Sequence, residues 1–275
     1  MHRCDICLEE TCKGTHNCNC DICSHRDECY RVLHATIRIT NKCTQTCEHC
    51  AFSSSPDSHT MMSVEEAKKI GQFMIANGVP YINVMGGEFI CNPDWYEIVD
   101  ILVSSTSFMR IVSNGDWATS EEIKEKLSLL IKKYPEKIRI SISKDKYHTN
   151  KHVDKAEEWL KSQKVIYNIG EESNMPEDSI VPVGRGSLSY GVYSSLSCYC
   201  HNPVHMYSFL IDEVGKIYKC GFGVWNYAQV DDYLEGGFRE RFKTFNKKFY
   251  SCWVPNCASC IRCASRENDN MVSKE

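Results

Sequence analysis

The sequence has no long hydrophobic run, no marked excess of charge of either sign and no export signal. No apolar stretch in its 275 residues approaches the roughly 18 residues that suggest a membrane-spanning helix. The net charge is −4, from 32 basic and 36 acidic residues, so nothing general indicates a nucleic-acid partner. Residues 1–7 lack the apolar core of a signal peptide, and we therefore expect a cytoplasmic location.

The residue present in excess is cysteine, with 18 copies. An apolar content of 42% and a charged content of 25% are otherwise ordinary for a globular protein with one large core. The cysteines fall in residues 4–29, 43–50 and 198–263, with Cys91 alone between them. Because the cytosol keeps thiols reduced, this pattern favours metal ligation over disulfides, and thiolates suit iron–sulfur clusters or zinc.

The middle cluster has the spacing C-x3-C-x2-C, formed by Cys43, Cys47 and Cys50. It follows a short apolar run at 35–39 that predicts a strand. Three thiolates can hold three irons of a cubane and leave the fourth iron without a protein ligand. Structural zinc sites and electron-transfer clusters use four ligands instead. The spacing therefore indicates chemistry at an open iron.

From residue 35 onward, short β-branched runs alternate with helical patterns, which is typical of parallel βα units. Strands are predicted at 35–39, 81–85, 109–112, 137–143 and 165–169, with a sixth considered at 180–183. Helices are predicted at 63–76, 93–103, 120–134 and 153–163. The predicted fold class is α/β, a partial (β/α)6 barrel. Ligands of parallel βα folds bind at the carboxyl ends of the strands, so the site is expected in the loops there.

Two of these loops carry short polar turns. Gly86, Gly87 and Glu88 follow the second predicted strand. The glycines would let the backbone approach a ligand, and the carboxylate can accept hydrogen bonds from an ammonium group. Ser113 and Asn114 open a Ser-Asn-Gly turn after the third strand. Taken alone, each motif is equally compatible with a plain turn.

The loop after the fourth strand carries the candidate catalytic residues Asp145, Tyr147 and His148. The tyrosine and histidine are candidates for acid or base catalysis, with a solvated loop as the alternative. Side chains two residues apart in a strand share a face, so Ser141 and Ser143 are both able to point into the barrel.

The cysteine triplet, Gly-Gly-Glu and Ser-Asn-Gly, in this order, resemble the radical S-adenosylmethionine (radical SAM) superfamily. The resemblance implies a [4Fe–4S] cluster whose open iron is chelated by the amino and carboxylate groups of SAM. Glu88 would bind the SAM amine, and the Ser113–Asn114 turn would reach its methionyl or ribose groups. The resemblance also implies roles near SAM for further residues. His49 would lie against the adenine, and Arg185 would contact the SAM carboxylate or cap the sheet edge. The residues near ribose and substrate would be Ser141, Ser143 and Asp145.

The implied reaction transfers one electron from the cluster to SAM, giving methionine and a 5′-deoxyadenosyl radical that abstracts hydrogen from the substrate. A low-potential donor such as flavodoxin or ferredoxin would supply the electron. The expected substrate is a ribosomally made peptide, which would be crosslinked, epimerised or oxidised, although no compact leader-binding domain is evident before residue 35. A small-molecule dehydrogenase is the alternative. A non-enzymatic metal-binding regulator is a third hypothesis, and it would need neither Glu88 nor an open iron.

The first 34 residues form a predicted cysteine-rich, metal-binding segment. The tetrapeptide Cys-Asp-Ile-Cys occurs twice, so Cys4 with Cys7 and Cys20 with Cys23 form two C-x2-C pairs separated by 12 residues. This is the layout of a four-thiolate site. Zinc and an additional iron–sulfur cluster stay equal alternatives, since both use such ligands.

Residues 35–186 would form the barrel, and residues 187–275 an appended domain. In that last segment, the pattern Cys200-x14-Gly-x4-Cys220 resembles the SPASM and twitch extensions, which hold auxiliary [4Fe–4S] clusters. The resemblance implies that an auxiliary cluster accepts the electron of the product radical or orients the substrate. One cluster would use Cys200, Cys220, Cys257 and Cys260, and the further candidates are Cys198, Cys252 and Cys263. Zinc is the alternative.

Overall fold

A computed structural model of the protein describes residues 33–163, 165–171, 185, 208–218 and 226–242. The strands are β1 His34–Arg38, β2 Tyr81–Met85, β3 Phe108–Ser113, β4 Ile138–Lys144, β5 Ile166–Glu171, β6 Ser208–Ile211, β7 Lys216–Tyr218 and β8 Asn226–Gln229. The α-helices are α1 Val64–Ala76, α2 Trp95–Ser104, α3 Glu121–Lys133 and α4 Val153–Gln163, and short 3₁₀ helices span Phe89–Cys91, Asp116–Thr119 and Val230–Tyr233. No helix in these ranges is long and apolar enough to cross a membrane.

All eight strands belong to one sheet with the order β5-β4-β3-β2-β1-β6-β7-β8. Neighbours from β5 to β6 pair in parallel, whereas β6, β7 and β8 form an antiparallel meander. Helices connect β1 to β5 in the predicted alternation, which confirms the α/β partial barrel. The sixth strand considered at 180–183 lies outside the described residues. The sixth parallel strand among the described ones is β6, which lies beside β1.

One face of the sheet packs against the helices. Its inward side chains, such as Ile37, Val84, Ile111 and Ile140, are at most 1% exposed and join one core with apolar residues of all four α-helices. The predicted starts of two helices are confirmed as N-caps. The Ser63 hydroxyl accepts a hydrogen bond from the Glu66 N–H in α1, and Ser120 does the same in α3. The side chains on the opposite face of β1, β2 and β4 are half-buried.

Strands β6 and β7 form an antiparallel hairpin around residues 213–215. Gly215 at its turn has a φ of 75°, and a Cβ there would lie 2.2 Å from a carboxylate oxygen of Glu66 in α1. The hairpin is also tied to β1, because the Arg38 guanidinium donates to both carboxylate oxygens of Glu213 at 2.8 and 2.9 Å. The hairpin therefore continues the barrel sheet.

Phenylalanine side chains fix the last described segment to this sheet. The Phe238 ring lies 5.0 Å from the Phe73 ring of α1 and 4.9 Å from the Phe209 ring of β6. Phe242 stacks on Phe238 at 5.1 Å, and all four rings are completely buried. These aromatic contacts extend the core across the β6 side of the sheet.

Asn92 is a buried amide that sequence reasoning did not single out. Its Nδ2 donates to the carbonyl oxygens of Ile39 and Met62, both at 2.9 Å, and its Oδ1 accepts from the Asp94 N–H. The side chain is 1% exposed. It therefore joins the end of β1, the segment before α1 and the start of α2.

Replacing Asn92 by alanine is expected to lower the free energy of unfolding by about 2–4 kcal/mol, because two buried carbonyls lose their donor. Anaerobic urea denaturation measures this loss. Asn168→Ala, at an exposed position of β5, is the matched control and should change stability by less than about 0.5 kcal/mol. Equal stabilities of the two variants would contradict the assignment.

Candidate active site

The site lies where the carboxyl ends of β1, β2, β3 and β4 meet. The loop after β1, residues 43–50, carries the cysteine triplet and is called the cysteine loop below. The loops after β3 and β4 contact it, and the loop after β2 binds the backbone of Thr40 and Lys42 just before it. The sequence predicted this convergence from the parallel topology.

Cys43, Cys47 and Cys50 are all free thiols and half-buried. The Gln45 N–H donates to the Cys43 sulfur at 3.4 Å, and the Cys50 N–H donates to the Cys47 carbonyl at 3.2 Å. Burial, partly offset by the Gln45 hydrogen bond, raises the pKa of Cys43 to about 12. Three unpaired soft thiols on one short, held loop fit an iron–sulfur cluster with one iron lacking a protein ligand.

Gly86 and Gly87 are required by the backbone that leads into the cysteine loop. The Gly87 N–H donates to the Thr40 carbonyl at 2.8 Å, and the Glu88 N–H donates to the Lys42 carbonyl at 2.9 Å. A Cβ on Gly86 would lie 2.3 Å from the Thr40 oxygen, and one on Gly87 would lie 1.9 Å from the Lys42 oxygen. The close approach predicted for these glycines is thus made by protein backbone, and an approach to SAM stays a prediction.

Glu88 is completely buried and fastens the end of β2 to the end of β3. Its carboxylate accepts from the Ser113 hydroxyl at 2.7 Å and from the Asn114 N–H at 2.8 Å. Burial, partly offset by these two hydrogen bonds, raises the pKa of Glu88 from 4.5 to about 7. A contact between this carboxylate and the SAM amine stays a prediction. Each carboxylate oxygen can still accept a further hydrogen bond.

The raised pKa of Glu88 predicts a specific pH dependence. Glu88 ionises near pH 4.5 in the unfolded chain and near pH 7 in the folded chain. Its contribution to the free energy of unfolding is therefore present at low pH and is lost as the pH rises. Wild-type protein without SAM should therefore lose up to about 3 kcal/mol relative to Glu88→Gln between pH 4.5 and 8. Urea denaturation across this range measures the difference. Exposed Glu97→Gln is the control, and a constant difference for Glu88→Gln would contradict the assignment.

The loop after β3 holds the cysteine loop by two side chains. Asn114 donates from Nδ2 to the Thr44 hydroxyl at 2.9 Å and to the Cys43 sulfur at 3.9 Å. Asp116 accepts from the Thr44 hydroxyl and from the Gln45 amide. The roles of Thr44, Gln45 and Asp116 were not predicted. Their only signal in the sequence is polar residues between two cysteines and directly after the Ser-Asn-Gly turn.

The loop after β4 places its candidate residues around a buried carboxylate. Asp145 is 4% exposed, and its Oδ1 accepts from the N–H groups of Tyr147 and His148 at 2.8 and 3.0 Å. Its Oδ2 accepts from His148 Nδ1 at 2.7 Å. The Thr149 N–H donates to the Gln45 side-chain oxygen at 3.1 Å, which joins this loop to the cysteine loop.

The pKa values of this pair indicate an ion pair. Burial alone would raise the pKa of Asp145, but the hydrogen bond and charge of His148 lower it to about 2. Burial alone would lower the pKa of His148, but the hydrogen bond to Asp145 and the nearby Cys47 and Asp145 charges raise it to about 10. The histidine is thus charged and paired with the buried carboxylate.

His49 lies under the same loop. Its ring is 4.8 Å from the Tyr147 ring and 5.0 Å from the His148 ring. Its Nδ1 is buried without a hydrogen-bond partner, and burial together with the nearby His148 charge lowers its pKa. The structure thus brings His49 together with the predicted catalytic residues, and its contact with adenine stays a prediction.

The remaining predicted residues lie on two sides of the site. Ser141 and Ser143 are half-buried on the face of β4 opposite the buried isoleucines, as expected from the alternation.

Arg185 holds the cysteine loop: its N–H donates to the Cys50 carbonyl at 3.0 Å, and its guanidinium donates to the carbonyls of Cys47 and Ser54. The cysteines predicted as ligands in residues 1–34 and 187–275 lie outside the described residues.

Comparison with known proteins agrees with this geometry. Residues 37–173 match the radical SAM superfamily. AlbA of Bacillus subtilis, an antilisterial bacteriocin subtilosin biosynthesis protein, is 32% identical over 120 residues, 44% of this chain and 26% of AlbA. YydG of Bacillus subtilis, a putative peptide biosynthesis protein, is 29% identical over 120 residues, 41% of this chain and 36% of YydG. The mycofactocin maturase MftC of Mycobacterium tuberculosis is 30% identical over 86 residues, 31% of this chain and 22% of MftC.

Two solved structures share the fold. BtrN in complex with AdoMet and 2-DOIA superposes with a TM-score of 0.56 and 14% identity, over 78% of this chain and 86% of BtrN. The structure of anSMEcpe with bound AdoMet and a peptide gives a TM-score of 0.51 and 14% identity, over 82% and 88% of the two chains.

In sequence and in fold, residues 37–173 are therefore similar to a radical SAM domain. The chain spans about a quarter of the length of AlbA and about a third of that of YydG.

Proposed function

We propose that the protein cleaves SAM reductively at a [4Fe–4S] cluster held by Cys43, Cys47 and Cys50. The observation that carries this proposal is the set of three free thiols on one loop. The loops after β3 and β4 pack against it, and the loop after β2 binds the backbone just before it. Once bound, the cluster and SAM supply a 5′-deoxyadenosyl radical that abstracts a hydrogen atom from the substrate. A low-potential donor such as flavodoxin or ferredoxin would reduce the cluster.

The protein's own residues orient the bound groups. Asn114 and Arg185 fix the two ends of the cysteine loop, so its sulfurs keep their positions when the cluster changes charge. Glu88 lies beneath the loop, where its carboxylate would attract the ammonium group of SAM. Ser141 and Ser143 are half-buried on the face of β4 opposite the buried isoleucines, where SAM ribose and substrate would lie. Asp145, Tyr147 and His148 lie in the loop that follows the same strand.

A ribosomally made peptide is the substrate we propose, and crosslinking, epimerisation or oxidation is the proposed outcome. Support comes from the relatives, because AlbA is named for bacteriocin biosynthesis, YydG for putative peptide biosynthesis and MftC as a maturase. Co-expression of the full chain with short peptides encoded beside its gene tests this proposal. Mass spectrometry should detect loss of hydrogen atoms, or deuterium uptake in D₂O for an epimerase. Unmodified peptides together with turnover of a small molecule would favour the dehydrogenase alternative.

We further propose an auxiliary [4Fe–4S] cluster in residues 187–275, with Cys200, Cys220, Cys257 and Cys260 as ligands, and a zinc or iron–sulfur site at Cys4, Cys7, Cys20 and Cys23. Support comes from the cysteine spacings alone. Iron and zinc contents of variants that lack each cysteine group test both sites. Contents equal to those of the wild type would contradict them.

A further inference from the structure

A polar row crosses the face of the sheet that lies opposite the helix-packed core. In the strand register, Asn83 of β2 lies beside Arg110 of β3, and Arg110 lies beside Arg139 of β4. All three side chains are half-buried, whereas the residues on either side of them in each strand are buried. Ile166 of β5, the next residue in this row, is 52% exposed. The row is therefore open to solvent at its β5 end.

Arg110 is held in one orientation by its neighbours in β2. Its Nε donates to Asn83 Oδ1 at 2.8 Å, and the same oxygen accepts from the Tyr81 hydroxyl at 2.8 Å. Its guanidinium carbon lies 5.9 Å from the centre of the Tyr81 ring, and that ring stacks on Phe108 at 5.2 Å. Because Nε is engaged, the edge of the guanidinium left for a ligand is the one that carries the η nitrogens. The neighbouring side chains thus hold this edge in place without a ligand.

The charge of Arg110 is not matched within the part of the chain that the structure describes. Its η nitrogens have no acceptor there, and no described carboxylate forms an ion pair with it. By contrast, Arg38 on the same face of β1 donates to both carboxylate oxygens of Glu213. A half-buried charge without an ion partner costs free energy that a neutral side chain does not cost. The two parallel N–H groups of a guanidinium edge match the two oxygens of a carboxylate, so a carboxylate is the ligand this edge suits.

We propose that Arg110 anchors the substrate by binding a carboxylate group of the peptide. Arg110 lies three residues before Ser113, the β3 residue that binds Glu88. Because a strand rises about 3.3 Å per residue, Arg110 lies about 10 Å along β3 from the strand end at the cysteine loop. The carboxylate of SAM is expected at the open iron, so the ligand of Arg110 belongs to the substrate. This inference rests on the proposed function, since it requires a peptide substrate on this face.

The test is a double-mutant cycle between the full chain and a dye-labelled short peptide encoded beside its gene, measured by anaerobic fluorescence anisotropy with SAM present. In one set of peptides each acidic side chain is replaced by its amide, and in another the C-terminus is amidated. One of these changes should raise the Kd of the wild type about 10- to 100-fold, because a hydrogen-bonded charge pair is lost. Arg110→Gln should raise the Kd of the unchanged peptide by a similar factor and bind the matching amide peptide with no further loss. The amide that behaves in this way shows whether the carboxylate is a side chain or the C-terminus.

Two further measurements make the result specific. Arg241→Gln removes a guanidinium from an exposed position of the last described segment and should bind every peptide as the wild type does. Phenylglyoxal, which reacts with guanidinium groups, tests the contact without a substitution. At saturating concentrations, the unchanged peptide should protect Arg110 of the wild type from modification, and the critical amide peptide should protect it less. Mass spectrometry of proteolytic fragments measures the modification.

Each outcome supports or overturns the proposal. It is overturned if no amide peptide loses affinity for the wild type, or if Arg110→Gln loses as much affinity as the wild type with every amide peptide. If Arg110→Gln does not fold, the phenylglyoxal measurement decides, and equal protection by the unchanged and amide peptides overturns the proposal. A wild type that binds no such peptide also overturns it, and leaves SAM cleavage intact if 5′-deoxyadenosine is formed. If the wild type forms no 5′-deoxyadenosine, the proposed function itself fails.

Discussion

Replacing Cys47 by alanine is expected to lower the formation of 5′-deoxyadenosine from SAM by about 100-fold or more, because loss of an outer-sphere partner alone already costs 10–100-fold. Cys47 is the middle thiol of the triplet, and its backbone carbonyl is held by Cys50 and Arg185. The substitution removes one iron ligand, and the two remaining thiols cannot hold a cubane with a single open iron.

The measurement is chromatographic detection of 5′-deoxyadenosine after anaerobic reconstitution and reduction. Cys91→Ala is a stringent control, because Cys91 is a free, half-buried cysteine close enough to influence the charge state of Cys43. We predict that Cys91→Ala keeps wild-type activity, since Cys91 lies outside the cysteine loop in the 3₁₀ helix Phe89–Cys91. Undiminished turnover by Cys47→Ala would overturn the ligand assignment.

Replacing Gly87 by alanine is expected to destabilise the protein by about 3 kcal/mol and to prevent cluster assembly. The added Cβ would lie 1.9 Å from the carbonyl oxygen of Lys42 and 2.9 Å from the nitrogen of Cys43. Both are backbone atoms, so no side-chain rotation relieves the overlap. The strand end would have to separate from the cysteine loop, and the hydrogen bond from the Glu88 N–H to Lys42 would be lost.

Gly170→Ala is the matched control for this substitution. A Cβ on Gly170, in β5, would meet the Ile142 carbonyl oxygen at 3.6 Å, an ordinary contact. Its free energy of unfolding should stay within about 0.5 kcal/mol of the wild type. Urea denaturation and iron content measure both variants. A Gly87→Ala protein as stable and as rich in iron as Gly170→Ala would show that the cysteine loop does not depend on this close approach.

Local periodicity in the sequence was sufficient to predict most of the fold. Strand β2 and helix α4 lie at the predicted residues, 81–85 and 153–163, because alternation and helical spacing are properties of neighbouring residues. The parallel order then predicted which loops meet. It could not predict that β6 pairs with β1, because no short-range pattern reports a partner more than 160 residues away.

The site shows the same division between local and long-range information. The cysteine spacing and Glu88 were recognisable as motifs, whereas the contacts that give them their environment join distant residues. Arg185 reaches Cys47 across 138 residues, and Thr149 reaches Gln45 across 104 residues. The glycines of Gly-Gly-Glu were predicted to matter for a ligand, but their observed neighbour is the backbone leading into the cysteine loop. Such pairings depend on the completed fold.

Reductive cleavage of SAM is most directly tested by analysing the products of the reconstituted wild-type chain. With a low-potential reductant and SAM under anaerobic conditions, we predict 5′-deoxyadenosine and methionine in equal amounts, and neither product without the reductant. An amount of 5′-deoxyadenosine no greater than that formed by Cys47→Ala would contradict a radical-generating site at the cysteine loop.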